Sequence, residues 1–315
     1  MFVLLLINKT MFNEDFNSIL ELVQQFPDEQ SCIDHLTELR WNGHVVSPFD
    51  SFSKVYVCKD NKYRCKNTGK YFNVRTGTLF DNTKIKLQSW FMAIWLVTSH
   101  KKGISSLQLS RDLNITQKSS WFMLQRIRNC FGIENNGELN NEVEIDETYV
   151  GGKNKNRHQN KKIEGSHGRS SKDKAPVLGM IEREGKLVAK RIDNVQSQTI
   201  TPEVVKIVKD ATVYTDEWTG YAGINRIYDH LIVKHNQGQY VNGRVHTNTI
   251  EGFWRLLKRG IFGIYHFTSK KHLQKYVDEF VFRYNTRNNA ESSRFNLLLA
   301  NTENRLTYKE LINGN

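Results

Sequence analysis

Apolar residues early in the chain recur at helical spacing. Phe16, Ile19, Leu20 and Val23 share one face of a helix predicted over 13–25, and a second short helix is predicted over 30–39. From 54 to 80 the period changes. Lys54-Val-Tyr-Val57, Lys62-Tyr-Arg-Cys65 and Lys70-Tyr-Phe-Asn-Val74 alternate, with turns at Asn61 and Asn67-Thr-Gly69, which predicts a small antiparallel ribbon. The apolar, aromatic-rich stretch 87–97 predicts a buried helix, ended by Lys101-Lys-Gly103. Residues 105–113 then predict a short helix, Asn114-Ile115 a turn, and Thr116 the cap of a helix reaching Arg128. Short helix, tight turn and capped helix form a helix-turn-helix pattern. After a polar stretch at 134–141 the pattern becomes mixed α/β. Strands are predicted at 143–150, 211–215 and 231–235, a hairpin at 177–182 and 187–192, and helices at 201–209, 248–258 and 270–287. Thr201-Pro202 opens the first of these helices, and Thr247 or Asn248 caps the second.

These patterns imply an acidic helical segment over 1–45, a ribbon over 46–82, a helix-turn-helix region over 83–132, a linker over 133–141, an α/β domain over 142–290 with a basic loop at 151–174, and a tail over 291–315. Charge changes the picture by its distribution. The net is +12, but residues 1–50 hold two basic and eight acidic residues, 54–102 hold eleven and two, and 151–174 hold eight and two. Positive charge in two blocks suits contact with a polyanion, above all nucleic acid. The four cysteines, Cys32, Cys58, Cys65 and Cys130, are too few and irregular for a disulfide framework, which favours a reduced cytoplasm. The apolar start at 1–7 is too short to span a bilayer and lacks a basic flank; Met11 is an alternative start, and we expect no membrane partner.

Three acidic residues stand where chemistry would need them. Asp146 is mid-strand, Asp216 lies at the end of the 211–215 strand, and Glu251, separated from Asp216 by 34 residues, lies in the first turn of a helix. Neighbouring strands and that helix can bring the three carboxylates to one sheet end. Converging carboxylates repel unless cations neutralise them, and hard oxygen ligands select Mg²⁺ or Mn²⁺. Two such ions clamp the attacking and leaving oxygens of a phosphoryl displacement. Arg255, Lys258 and Arg259 follow Glu251 along its helix, either as a solvated basic face or as phosphate contacts. Gln117, Lys118 and Ser120 open the second helix of the helix-turn-helix, where such motifs read DNA. His235 and His246 read as structural histidines. A non-catalytic DNA-binding regulator, or a nuclease that cuts without joining, would use parts of the same set. Nothing marks a covalent serine or tyrosine nucleophile.

Several longer stretches resemble one known family. Tyr63-Arg-Cys-Lys, Lys70-Tyr-Phe-Asn-Val-Arg-Thr-Gly-Thr78, Trp90-Phe-Met-Ala-Ile-Trp95 and Lys101-Lys-Gly-Ile-Ser-Ser-Leu-Gln-Leu109 are similar to the front half of the ISXO-two-like group of bacterial insertion-sequence transposases. Glu144-Ile-Asp-Glu-Thr-Tyr-Val-Gly-Gly-Lys153, Thr215-Asp-Glu-Trp218 and His246-Thr-Asn-Thr-Ile-Glu-Gly-Phe-Trp254 resemble its catalytic half. The resemblance implies an RNase H-like α/β catalytic domain behind a ribbon and a helix-turn-helix, with Asp146, Asp216 and Glu251 as its metal-binding DDE triad. It also implies nicking at element ends and 3′-hydroxyl strand transfer. The partners would be duplex DNA, as terminal inverted repeats and target, and further copies of the chain on that DNA; the setting would be bacterial, cytoplasmic and nucleoid-associated. The chain departs from the family at the zinc ribbon. The ligand pairs read Ser47-Pro-Phe-Asp50 and Cys65-Lys-Asn-Thr68, whereas structural zinc takes four Cys or His ligands. We expect a zinc-free ribbon held by Tyr56, Tyr63, Tyr71 and Phe72.

Overall fold

A computed structural model describes residues 16–151, 158–164, 174–233 and 245–313, and the chain divides into two units, Met1–Cys130 with Asn288–Asn315, and Phe131–Arg287. In the first unit, α1 (Ile19–Gln25) is started by the Ser18 hydroxyl, and α2 (Glu29–Trp41) by an Asp28–Ser31 capping box. Of the face expected for α1, Phe16 is buried and Val23 part-buried, but the middle of it is not. Ile19 and Leu20 are exposed, whereas Phe16, Leu22 and Phe26 are buried. Phe16 and Phe26 lie outside this short helix, so helical spacing does not place them.

The ribbon comprises β1 (Val55–Val57), β2 (Tyr63–Cys65) and β3 (Tyr71–Phe72), paired antiparallel in that order. Only half of the expected aromatic set holds it. Tyr63 and Phe72 stack on each other and meet Trp41 edge-on, while Tyr56 and Tyr71 stand on the opposite, exposed face. The reason is the two-residue period of a strand, which sends neighbours to opposite faces. Cys65 is buried with Ser47 and Ser53. Burial pushes its thiol up, but hydrogen bonds with Ser47, Ser53 and Thr68 outweigh that and bring it down to about 6. Asp50 is engaged elsewhere, accepting from the Asn67 amide at 2.8 Å and the Phe52 N–H at 3.0 Å.

α3 (Leu87–Ser99) is buried along most of its length. The paired helices follow: α4 (Ser106–Asp112), capped by Ser105, and α5 (Gln117–Arg128), capped by Thr116. Asn114 turns the chain between them at φ 50°, in the left-handed region that asparagine tolerates.

The second unit is a mixed α/β structure. β4 (Leu139–Val150), β5 (Ala175–Glu182) and β6 (Leu187–Arg191) form an antiparallel meander. α6 (Ser197–Ile207) leads into β7 (Val208–Asp216), and β8 (Asp229–Val233) follows. Among the described residues the sheet order is β6-β5-β4-β7-β8, with β7 parallel to both β4 and β8. α7 (Asn248–Gly260) and α8 (Leu273–Asn285) cover one face through Ile250, Trp254, Leu257, Val277 and Phe280. α6 covers the other through Ile200 and Val204, against Val143 and Ile145.

Three sequence readings shift. α6 begins four residues before the expected Thr201, with Pro202 inside it. The stretch expected as a linker belongs to this unit: Leu139 is buried in β4, and the Asn135 amide pairs with both the N–H and the carbonyl of Ala189. Asn135 satisfies the edge of β6 with a polar side chain, so the segment looked like a loop. The expected tail instead forms α9 (Glu291–Ala300) and α10 (Tyr308–Asn313). Phe295 of α9 meets Phe16, Phe26 and Phe91 in the first unit's core. Most of the basic loop at 151–174, and His235, lie outside the described residues.

Candidate active site

β4 is central, and its period of two decides what faces α7. Glu144 and Asp146 point to that side, and Val143 and Ile145 to the α6 side. In the parallel pair, Glu144 lies opposite Tyr214. Two residues further along each strand stand Asp146 and Asp216, at the same end of the sheet. Asp216 accepts from the Trp218 N–H at 3.0 Å, which turns the chain away as β7 ends.

Asp146 is held by α7. Its Oδ2 accepts from the Trp254 indole N–H at 2.9 Å. Trp254 reaches it over Gly179, which lies opposite Asp146 on β5. A Cβ at Gly179 would stand 2.6 Å from the Trp254 ring and 2.8 Å from Ile250, so a side chain there would dislodge the indole. Burial, then the negative charges of Glu147 and Asp216, push the Asp146 carboxyl up to about 7, against the opposing hydrogen bonds of the Glu147 backbone and Trp254. Tyr221 donates to Glu147 at 2.6 Å.

Glu144 was not singled out from sequence, yet it seats the helix bearing Glu251. Its carboxylate is fully buried. It accepts from the N–H groups of Thr249 and Ile250 at 2.9 and 3.1 Å, and from the Thr249 hydroxyl at 2.9 Å. The Arg183 Nε donates to it at 2.9 Å, and His246 Nδ1 lies 3.2 Å away. Arg183 also donates to the His246 carbonyl at 2.8 Å and lies over the Tyr214 ring at 4.0 Å. Thr247, the residue at the cap position, makes no side-chain cap, so a carboxylate from the sheet supplies what the local sequence does not. The signal available in the sequence was Glu144 itself, an acidic residue on the same face of the strand as Asp146. His246 stands beside Glu144 and Arg183 just before α7.

The remaining candidates separate. Glu251 is part-exposed, with the Arg255 guanidinium 3.3 Å from its Oε2. Among the described residues, no three His, Cys, Asp or Glu side chains stand close enough to hold one metal ion. Asp146 and Asp216 are thus brought together, and Glu251 is placed on the adjoining helix with its charge met by Arg255. Lys258 is half-buried and feels the Asp146 charge, burial holding its amine below the usual lysine range. Arg255 and Arg259 are exposed. In the first unit, Gln117 and Lys118 are exposed at the start of α5, but Ser120 is fully buried. It shares the inward stripe of Met123, Leu124 and Ile127, at spacings of three, four and seven, and is unavailable to DNA as folded.

Residues 138–285, nearly all of the second unit, match the family described as the ISXO2-like transposase domain. The match assigns that domain, residues 138–285, to this family. The transposase is also similar to a protein of Halobacterium salinarum described as an uncharacterized protein in transposable element ISH50, with 28% identity over 281 residues, covering 83% of this chain and 92% of the relative. Among the described residues of the transposase, no helix is long and apolar enough to cross a membrane.

Proposed function

We propose that this insertion-sequence transposase nicks DNA at element ends and transfers the freed 3′-hydroxyl to target DNA, with Asp146, Asp216 and Glu251 as its catalytic carboxylates. The observation that carries the reading is the shared sheet end: Asp146 and Asp216 stand two residues beyond the paired Glu144 and Tyr214 on adjacent parallel strands, and burial, then Glu147 and Asp216, push the Asp146 carboxyl up. Its donors are hard carboxylate oxygens, which fit Mg²⁺ or Mn²⁺. Asp146 and Asp216 would hold the ions, with Glu251 completing the set once its charge is released from Arg255. Bound there, two divalent ions supply an activated oxygen nucleophile and charge stabilisation for the leaving oxygen.

The protein's own residues do the rest. Trp254 fixes one oxygen of Asp146, Glu144 seats the helix bearing Glu251, and Lys258, Arg255 and Arg259 offer cations to the DNA backbone. The central carboxylate-bearing strands of a mixed sheet support an RNase H-like domain. In the first unit, α4 and α5 form a helix-turn-helix that meets duplex DNA through Gln117 and Lys118. Terminal inverted repeats and target are the DNA partners, and joining two ends requires more than one copy of the chain. The work is done on bacterial DNA in the cytoplasm. The hydroxyls around Cys65 take the place of zinc in the ribbon. A labelled element-end duplex, assayed with Mg²⁺ for gel shift and strand transfer, tests the reading. Asp216→Asn should abolish cutting and joining and keep binding. Equal transfer by variant and wild type would make this a DNA-binding protein with structural carboxylates.

A further inference from the structure

The ribbon has an inner and an outer face, and only the inner one is explained by packing. Tyr63, Cys65 and Phe72 point inward. Outward, Tyr56 lies opposite Arg64, and Arg64 opposite Tyr71, making one row across all three strands. The Lys54 ammonium sits 5.6 Å from the Tyr56 ring centre and the Arg64 guanidinium 5.7 Å from that of Tyr71. Tyr56 is 41% exposed and Tyr71 61%, so both residues keep area open to water. Residues 54–72 carry six cations against one carboxylate, Asp60, and the strand period puts Lys54, Arg64 and Lys66 on the exposed side with the rings.

Paired rings alone would be ordinary cross-strand stabilisation. What exceeds that role is the combination of exposed ring area and an almost uniform positive charge. A polyanion satisfies the charge, and flat apolar surfaces satisfy the rings. Single-stranded nucleic acid provides both, because its base faces are open, whereas a duplex buries them against one another. The rings stand two strand spacings apart, about 10 Å, which suits a strand crossing the face extended. We propose that the outer face of the ribbon binds single-stranded DNA, with bases stacked on Tyr56 and Tyr71 and phosphates held by Lys54, Arg64 and Lys66. The choice of DNA over RNA rests on the transposase reading; the site itself does not depend on the carboxylates.

The test uses the full chain and fluorescence anisotropy with a labelled single-stranded DNA oligomer, the matching RNA oligomer and a hairpin duplex. Replacing both Tyr56 and Tyr71 by Ala should weaken single-stranded DNA binding about tenfold or more. Duplex affinity should stay within about twofold, because stacking does not contribute to it. Replacing both tyrosines by Phe should keep single-strand affinity, which separates stacking from a folding defect, and thermal melting should match wild type in each variant. Arg64→Ala should flatten the salt dependence by about 0.7 in log–log slope, the contribution of one neutralised phosphate on a single strand. Unchanged single-strand affinity in the double Ala variant would overturn the proposal. So would an equal loss on the duplex, or tenfold tighter binding to the RNA. A protein that binds single strands through the tyrosines but never cuts DNA would sink the catalytic reading and leave this one standing.

Discussion

Asp146 should make the metal-free protein less stable as pH rises, and replacing it should reverse that. Its folded carboxyl titrates at about 7, against 3.8 when unperturbed, because burial, Glu147 and Asp216 all disfavour its charge. The folded state therefore holds the proton more tightly than the unfolded one. Stability from this group is full below about pH 4 and is lost as pH climbs through about 7. A shift of about three units corresponds to about 4 kcal/mol, an upper bound because the residue keeps some contact with water. Asp146→Asn keeps an oxygen for the Trp254 indole and cannot ionise. In EDTA it should match wild type near pH 4 and exceed it by about 2–4 kcal/mol at pH 8. For a unit of this size that is a rise in melting temperature of roughly 5–15 °C. Scanning calorimetry of the full chain from pH 4 to 8 reads this directly. Adding Mg²⁺ at pH 8 should raise the wild-type transition and leave the variant's unmoved. Parallel pH profiles for the two proteins in EDTA would refute the argument.

Other substitutions probe the supports. Glu144→Ala should cost about 3–5 kcal/mol in urea unfolding, because it strips Arg183 and two helix N–H groups of a buried partner. Glu144→Gln, which keeps one acceptor, should cost less and lower strand transfer more than DNA binding; equal stability of Glu144→Ala and wild type would show that the tie is idle. Gly179→Ala should cost about 1–3 kcal/mol by overpacking against Trp254, with a change in tryptophan fluorescence as the indole leaves Asp146. Lys118→Ala should weaken gel shifts of an element-end duplex and flatten their salt dependence by about one phosphate, a log–log slope of about 0.9. Ser120→Ala should leave that slope alone, since its side chain lies inside α5's packing.

Much of the architecture was legible because period and capping are local. The alternation through 143–150 gave the central strand, Thr116 and Asn114 gave the α4–α5 turn, and Val177–Ile192 gave the hairpin. What escaped depends on partners distant in sequence. Asn135 reads as a loop residue until Ala189 lies beside it, and α9 reads as a tail until Phe295 meets Phe16 and Phe91. Ser120 misled because serine in the first turn of a helix is usually exposed, whereas here it continues an inward stripe. At the candidate site, the sequence placed Asp146 and Asp216 at one sheet end from strand order alone. It could not show that Arg255 engages Glu251, because the same spacing serves a DNA-facing cation and an internal ion pair.

The Glu144 tie explains how α7 stays seated beside Asp146, whose charge is disfavoured by burial and then by Glu147 and Asp216. Buried negative charge on one strand face would ordinarily push a neighbouring helix away. Here the first carboxylate, Glu144, is neutralised by Arg183 and by the positive N-terminal end of α7, so it pulls the helix in. The second, Asp146, has one indole N–H from that same helix and the field of the half-buried Lys258. Two carboxylates two residues apart thus play opposite parts. One spends its charge on holding the helix in place, which leaves the other under-neutralised at a fixed distance from it. A divalent ion arriving at Asp146 and Asp216 would then meet a helix already in position. Metal affinity and helix placement should be separable, with Glu144 variants changing the second and Asp146 variants the first.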